Sequence, residues 1–379
     1  KKQKELETKL AELKKPLTTV MVMGNQAKPR KTFILNRGAY DSPTDKEVSA
    51  GTIAALPAMK DDAPKNRLGM AQWLFSAEHP LTSRVTINRY WQMLFGRGLV
   101  STPEDFGVQG DFPSHPELLD WLAVDFRQHG WDVKRILKEI VLSRTYRQSS
   151  VSTVDAYLTD PENRQLSRGS RFRLQGEFIR DTALTLSGLL NEKIGGAGVR
   201  PYQPPGLWAE VGLSGNPRFT QDHGDKLYRR SIYTYWKRSA PMPNMMAFDA
   251  PTREKCVIQR PLTNTPMQAL VTMNDVQFVE AARVFAQRVL QKGGADFDSQ
   301  LDYAFMLTTA RPADELRKRV FRNLYDSQLK EFSADATRAG ELLKFGETKR
   351  DESLNLAQHA AWTTVASAIF NLDEVITKE

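Results

Sequence analysis

Residues 84–148 read RVTINRYWQMLFGRGLVSTPEDFGVQGDFPSHPELLDWLAVDFRQHGWDVKRILKEIVLSRTYRQ, and this stretch decides the fold class. Ile87, Trp91 and Leu94 recur at helical spacing, and Gly96 with Gly98 closes that helix. Ser114 and Glu117 stand at capping-box spacing, so the hydroxyl is expected to accept from the third helical N–H while the carboxylate reaches back. Leu118, Leu122 and Phe126 then form a buried face that Gly130 interrupts. Asp132 caps the next helix, whose core side carries Ile136, Leu137, Ile140 and Val141. The spacing predicts a helical hairpin.

Working outward, the same periodicity continues on both sides. Leu68, Ala71, Trp73, Leu74 and Phe75 mark a helix ending before Pro80. At the start, Leu6, Leu10 and Leu13 stripe a short amphipathic helix with a Glu5–Lys9 pair and Pro16 as its stop. Strands are expected at Thr18–Met23 and Lys31–Asn36, joined through Gly24, Asn25 and Pro29, with residues 37–65 an irregular connector. Downstream, Leu174, Phe178, Leu186 and Leu189 belong to a helix at 174–190. The aromatic run within Tyr228–Arg238 favours a strand. Thr265, Pro266 and Gln268 open a further helix, and Asp275 caps the next, which carries Val279, Ala282, Ala286 and Val289 as far as Gly293. Helices near 299–309, 313–331 and 353–370 finish the chain. The expected architecture is mainly α. A multi-helical domain fills 66–379, with a small β-containing middle section in a loop-rich aromatic and polar insertion at 151–262. A short N-terminal β-hairpin segment lies in 1–65, read as the tail of an upstream region.

The composition narrows the class. No apolar run approaches the roughly 20 residues that span a bilayer. The charged opening KKQKELETKLAELKK is not a secretory signal peptide, and Lys rather than Met at position 1 reads as a piece of a longer polypeptide. A net charge of +8 invites a nucleic-acid partner, but the 53 basic residues are interleaved with 45 acids and match no nucleic-acid signature, so none is expected. Cys256 is the only cysteine, which excludes an internal disulfide and any Cys-x-x-Cys-His haem attachment within the chain. With no histidine nearby in sequence, it reads as a small core residue rather than a nucleophile.

Several clusters carry the residue types that chemistry needs. Asp222, His223 and Asp225 gather proton-transfer or metal-ligand groups within four positions beside a glycine. They are weak metal candidates, because a site needs three or four ligands in fixed geometry. Asp249 and Glu254, with Arg253 between them, are a candidate carboxylate pair of the kind glycoside cleavage uses, or a structural ion pair. Read as a strand, Tyr228–Arg238 puts Arg230, Ile232, Thr234 and Trp236 on one face and Tyr233 and Tyr235 on the other. With Trp208, the side chains of Arg230, Tyr233, Tyr235 and Trp236 suit sugar rings, whose faces are apolar and whose rims are hydroxylated. They suit a protein interface equally. His115 with Glu117 and Asp120 is explained as a helix start, and Gly195–Gly198 as a turn, since no Lys-Ser/Thr follows it.

A chain of motifs resembles one known family. Its members are Asn66-Arg-Leu, His79-Pro-Leu-Thr, Asn88-Arg-Tyr-Trp-Gln, Phe95-Gly-Arg-Gly-Leu-Val, Ser143-Arg-Thr-Tyr-Arg-Gln-Ser, Tyr202-Gln-Pro-Pro-Gly-Leu-Trp, Phe248-Asp-Ala-Pro-Thr-Arg-Glu, Thr263-Asn-Thr-Pro-Met-Gln-Ala-Leu and Asn371-Leu-Asp-Glu. In that order, from Asn66 to the end, they resemble the planctomycete-specific C-terminal domain known as domain of unknown function 1553. The resemblance implies an extracytoplasmic setting, periplasmic or secreted, and a cytochrome-c-like neighbour. Haem c would then sit on a separate upstream domain, with no cofactor in this chain. Relatives more often read Gly-Arg-Pro where this chain has Ala310-Arg-Pro, which weakens the expected helix stop. The family transfers no catalytic residue.

Two functions follow as expectations. One is an accessory or substrate-binding domain of a cytochrome-linked protein, handling carbohydrate for oxidation or degradation. The other is a non-catalytic module docking exported subunits in the cell envelope.

Overall fold

The computed structural model describes residues 2–14, 20–26, 28, 30–212 and 218–378, and the protein is mainly α-helical. The chain divides into two compact units, Lys1–Thr86 and Ile87–Glu379. Pro16, Thr18, Thr19 and Pro29, on which the expected helix stop and part of the first strand and its loop fell, lie outside the described residues.

In the first unit the opening helix Lys2–Lys14 forms, with Leu6, Leu10 and Leu13 exposed. The hairpin is present with a different partner. Thr32–Leu35 pairs antiparallel with Pro43–Val48, in the register Thr32 to Val48 and Phe33 to Glu47. Val20–Met23 forms no strand, and the expected connector instead supplies one. The reason is the tight turn at 36–42: Arg37 and Gly38 take positive φ, and the Asn36 N–H donates to Ser42 O at 2.8 Å. The helix Arg67–Leu74 begins where Asn66 accepts from the N–H groups of Leu68 and Gly69, and its Trp73 indole donates to Pro57 O at 2.6 Å.

The second unit holds two main cores. The smaller joins the helical stretch Ile87–Phe95 to the hairpin of Pro116–Gln128 and Val133–Leu142, through Ile87, Trp91, Leu122, Phe126, Ile136 and Ile140. Asp132 caps the third helix by accepting from the Arg135 N–H, as its position predicts. Gly130 at φ +68 makes the corner. The capping box does not form: the helix starts from His115, and the Ser114 hydroxyl instead meets His115 Nδ1 at 3.0 Å. Pro116 at the first helical position presets φ and needs no donor, so the start is secured without the box. Asn88, fully buried, accepts from the Val100 N–H and donates to Val100 O, which pins the turn after this helix.

The larger core is built around Val276–Lys292. Its Ala281, Ala282, Phe285, Ala286 and Val289 face the helices Gly176–Ser187 and Leu356–Phe370. The alanines let those helices approach closely, while Trp362, Val365, Ile369 and Phe370 fill the space between. Leu356–Phe370 has no single apolar stripe and is enclosed over most of its length, with Glu315–Ala334 across it. Phe297–Thr309 completes the layer and ends at Ala310, a non-glycine residue with φ +56. Thr377–Lys378 pairs with Phe172–Arg173, so the far end of the unit is stitched to its middle.

The middle region departs from expectation. Tyr228–Arg238 is not a strand but two 3-10 turns, Gly224–Tyr228 and Ser231–Tyr233, touching residues 191 and 199 only through isolated bridges. A ladder is pre-empted by side chains. The fully buried Arg180 donates to Leu227 O, Arg229 O and the Ser231 hydroxyl, while Asp181 accepts from Ser231 N–H and Oγ. Alternation is lost in consequence: Ile232 stands exposed, and Leu227, Tyr228 and Arg229 are buried in succession. The preceding helix spans Gly176–Ser187, ends at Gly188 and leaves Phe178 half exposed rather than in the core. Cys256 is exposed, not buried as expected.

Candidate functional site

The residues of the middle region gather around Val199 and Arg200. The Val199 N–H donates to Tyr233 O at 2.8 Å, and Val199 O accepts from the Tyr235 N–H at 2.7 Å. The Arg200 N–H donates to the Asp222 carboxylate at 2.8 Å, and the Asp222 N–H returns to Arg200 O at 2.9 Å. Three strings of backbone are thereby laid side by side. Gly206, in the left-handed region at φ +88, starts the short helix Leu207–Glu210 that carries Trp208.

On this frame Trp208 and Tyr235 come together, ring centroids 5.8 Å apart. Arg200 lies over both rings, at 5.0 Å from Tyr235 and 5.9 Å from Trp208, and Lys237 stands 5.2 Å from the indole. Phe219 meets the indole edge-on. Tyr235 is 47% exposed, so the patch reaches solvent. Among the described residues, the buried donors Trp208 Nε1 and Arg200 Nε have no hydrogen-bond partner. Aromatic faces bounded by cations and unpartnered donors can stack on a ring and hydrogen-bond its rim.

The other sequence candidates lie elsewhere in the region. Tyr233 covers the Arg229 guanidinium at 3.7 Å, and its hydroxyl accepts from the Gly195 N–H. Arg229 donates to Lys193 O, Gly195 O and Ala197 O, so this glycine turn presents carbonyls to a cation rather than N–H groups to a phosphate. Trp236 donates to Thr252 O at 3.0 Å and packs beneath Arg253 at 4.6 Å. Arg230 is exposed.

The candidate carboxylates are each engaged separately. Asp222 is held below the usual carboxylate range, chiefly by the Arg200 N–H and then by Lys226 at 3.2 Å. His223 pairs with Glu347 at 2.5 Å, and Glu347 also accepts from the Gly224 N–H. Burial pushes the Glu347 carboxyl up, but these hydrogen bonds together outweigh it and hold it low. Asp225 offers its backbone carbonyl to Asn191. Asp249 binds Arg173 at 2.5 Å and the N–H and hydroxyl of Thr263. Glu254 takes a backbone contact from its N–H to Thr252 Oγ1 at 3.4 Å. Asp249 and Glu254 therefore serve different partners. Among the described residues, no group of three His, Cys, Asp or Glu side chains is placed to hold a metal ion.

A buried polar knot centres on Glu280. Glu280 Oε1 accepts from Tyr228 OH at 2.8 Å and from the Thr348 N–H at 2.7 Å, with Arg283 3.8 Å away. Burial raises the Tyr228 hydroxyl to about 12, and burial also pushes Tyr202 upward. Tyr202 accepts from the Glu347 N–H, which ties the knot to the loop bearing His223's partner. Sequence reading found Trp208 and Tyr235 from their aromatic company. It missed Arg200, because only the fold brings it to the indole.

The family model described as PSD1, protein of unknown function (DUF1553), matches residues 66–325, more than half of the chain. No curated protein and no solved structure matches it. The chain belongs to the PSD1 (DUF1553) family.

Proposed function

We propose that this chain is an extracytoplasmic accessory domain that binds carbohydrate for a cytochrome-linked protein, with the Trp208–Tyr235 patch as the binding surface. The carrying observation is the pairing of two aromatic rings with Arg200 and Lys237 while Trp208 Nε1 and Arg200 Nε lack hydrogen-bond partners among the described residues. Sugar C–H faces stack on rings, and hydroxyls satisfy donors that otherwise cost roughly 1–3 kcal/mol each when buried unpaired. The cytochrome link and the export are carried by the motif resemblance, and haem, on this reading, belongs to a separate upstream domain.

The test is a glycan panel titrated against the intact chain, followed by calorimetry and tryptophan fluorescence. Binding that falls at least tenfold in Trp208→Ala and in Tyr235→Ala supports the reading. Silence across neutral and acidic oligosaccharides removes it.

A second reading, a docking module, is favoured by a different surface. Val257, Ile258, Leu262, Met267, Leu270 and Met273 are exposed on and before the helix Pro266–Asn274. Exposed apolar side chains grouped along one segment of chain favour an interaction face. Recovery of a stoichiometric exported partner, lost on Met267→Lys with Leu270→Lys, would favour this module.

A further inference from the structure

The second unit contains a concavity that the carbohydrate reading does not use. Its volume is about 440 Å³, and its floor is formed by Trp91, Phe95 and Leu99 of the smaller core. Four arginines line it, Arg97, Arg164, Arg168 and Arg171, against a single carboxylate, Glu162. Ser101, Ser114, Ser150, Ser152 and Ser170 also line it. Such a lining suits neither a metal ion nor an apolar ligand.

The arginines are not equivalent. Arg97 is paired with Glu162 and Arg171 with Asp373, which neutralises both in place. Arg168 gives Nη2 to Pro161 O at 2.9 Å and lies over the Tyr157 ring at 5.4 Å. Its Nη1 is buried and has no hydrogen-bond partner among the described residues. Arg164 lines the same space from an exposed position. Asp160 is the nearby counter-charge to Arg164 and Arg168, but its two oxygens accept from the backbone N–H groups of Arg164 and Gln165. A buried charged donor without a partner is costly and is satisfied best by an anion.

The loop holding these groups is set in advance. Asn163 closes it by donating to Arg168 O at 2.8 Å and accepting from the Arg168 N–H. Gln148 donates to Leu166 O, and the Gly169 N–H donates to Ser149 O at 2.7 Å.

We infer that this cavity is a binding site for an oxyanion, a phosphate, sulfate or carboxylate group carried on a small hydroxylated ligand, received by Arg168 Nη1 and Arg164. This site stands independently of the Trp208 patch.

The experiment titrates the intact chain with inorganic phosphate, sodium sulfate, glucose 6-phosphate, glucuronate and glucose. Calorimetry and Trp91-sensitive fluorescence are the readouts, and sodium chloride at matched ionic strength is the control. At least one oxyanion should bind in the millimolar range or tighter, while chloride gives no signal and glucose gives none that Arg168→Gln alters. Free phosphate or sulfate matching the sugar-borne group would place recognition in the oxyanion alone. A tenfold advantage for glucose 6-phosphate or glucuronate would assign the hydroxyls a part. Arg168→Gln should weaken binding at least tenfold and Arg164→Glu at least fivefold, with Gly340→Ala, remote from either site, unchanged. If Arg168→Gln unfolds the chain, Arg164→Glu decides alone. The inference is overturned if chloride reproduces the response, if no oxyanion binds, or if the folded arginine variants bind like the parent chain.

Discussion

Gly346 offers the sharpest test of the packing. Its φ is +90, and a Cβ built there would lie 2.1 Å from Glu280 Cδ and 2.3 Å from Oε1. Glu280 has no room to retreat, being fully buried and holding both Tyr228 OH and the Thr348 N–H on that same oxygen. Gly346→Ala must therefore displace the carboxylate or the loop. Left-handed strain on a residue with a Cβ costs about 1–2 kcal/mol. Each of two buried hydrogen bonds left unmade costs about 1–3 kcal/mol. The expected loss is about 3–8 kcal/mol, a fall in melting temperature of roughly 5–13 °C for a unit of this size. Urea unfolding followed by circular dichroism reads it as a lower midpoint at unchanged slope. Gly340→Ala is the control: its Cβ meets nothing within 4 Å inside the helix Ala336–Leu342, so it should be neutral or stabilising. A Gly346→Ala loss below 1 kcal/mol would refute the claim that Glu280 is held where the knot requires it.

Three further outcomes are expected. Ala310→Gly relieves the φ of +56 that ends Phe297–Thr309 and should add about 0.5–1 kcal/mol; denaturant midpoints check it, and a decrease contradicts the strained cap. Arg180→Leu leaves Leu227 O, Arg229 O and Gln277 Oε1 without their buried donor, and should cost about 3–5 kcal/mol and open residues 224–233 to hydrogen exchange. Burial holds His359 below its ordinary 6.5, its Nε2–H donating to Arg283 O at 3.0 Å. The unfolded chain thus binds this proton first as pH falls, so its share of stability is complete above pH 6.5 and is lost as pH drops from there through the folded value. His359→Gln should flatten that part of the pH–stability curve and leave the part due to His79, which burial also lowers.

What the sequence revealed and what it hid follow one physical division. The hairpin of Pro116–Gln128 and Val133–Leu142 was legible because its apolar period, its glycine corner and Asp132 all act within a turn or two. Asp275 was legible for the same reason. Tyr228–Arg238 was misread because its β-favouring residues are overruled by Arg180 and Asp181, about fifty positions away, which claim the carbonyls and N–H groups a ladder would use. The hairpin partner of Thr32–Leu35 was misassigned because the 36–42 turn, not the apolar content of Val20–Met23, sets the pairing. At the patch, the rings of Trp208 and Tyr235 could be suspected from composition. Arg200 could not, since it is placed by Asp222 across 22 residues.

The position of Leu356–Phe370 bears on how this protein is made. Val276–Lys292 leaves the ribosome well before the helix that covers Phe285, Ala286 and Val289 has been synthesised. For that interval a phenylalanine- and alanine-rich ridge stands uncovered, the condition in which nascent chains stick to one another or recruit a holding chaperone. Slowing translation between codons 293 and 355 would lengthen that exposure, whereas slowing it after codon 370 would not.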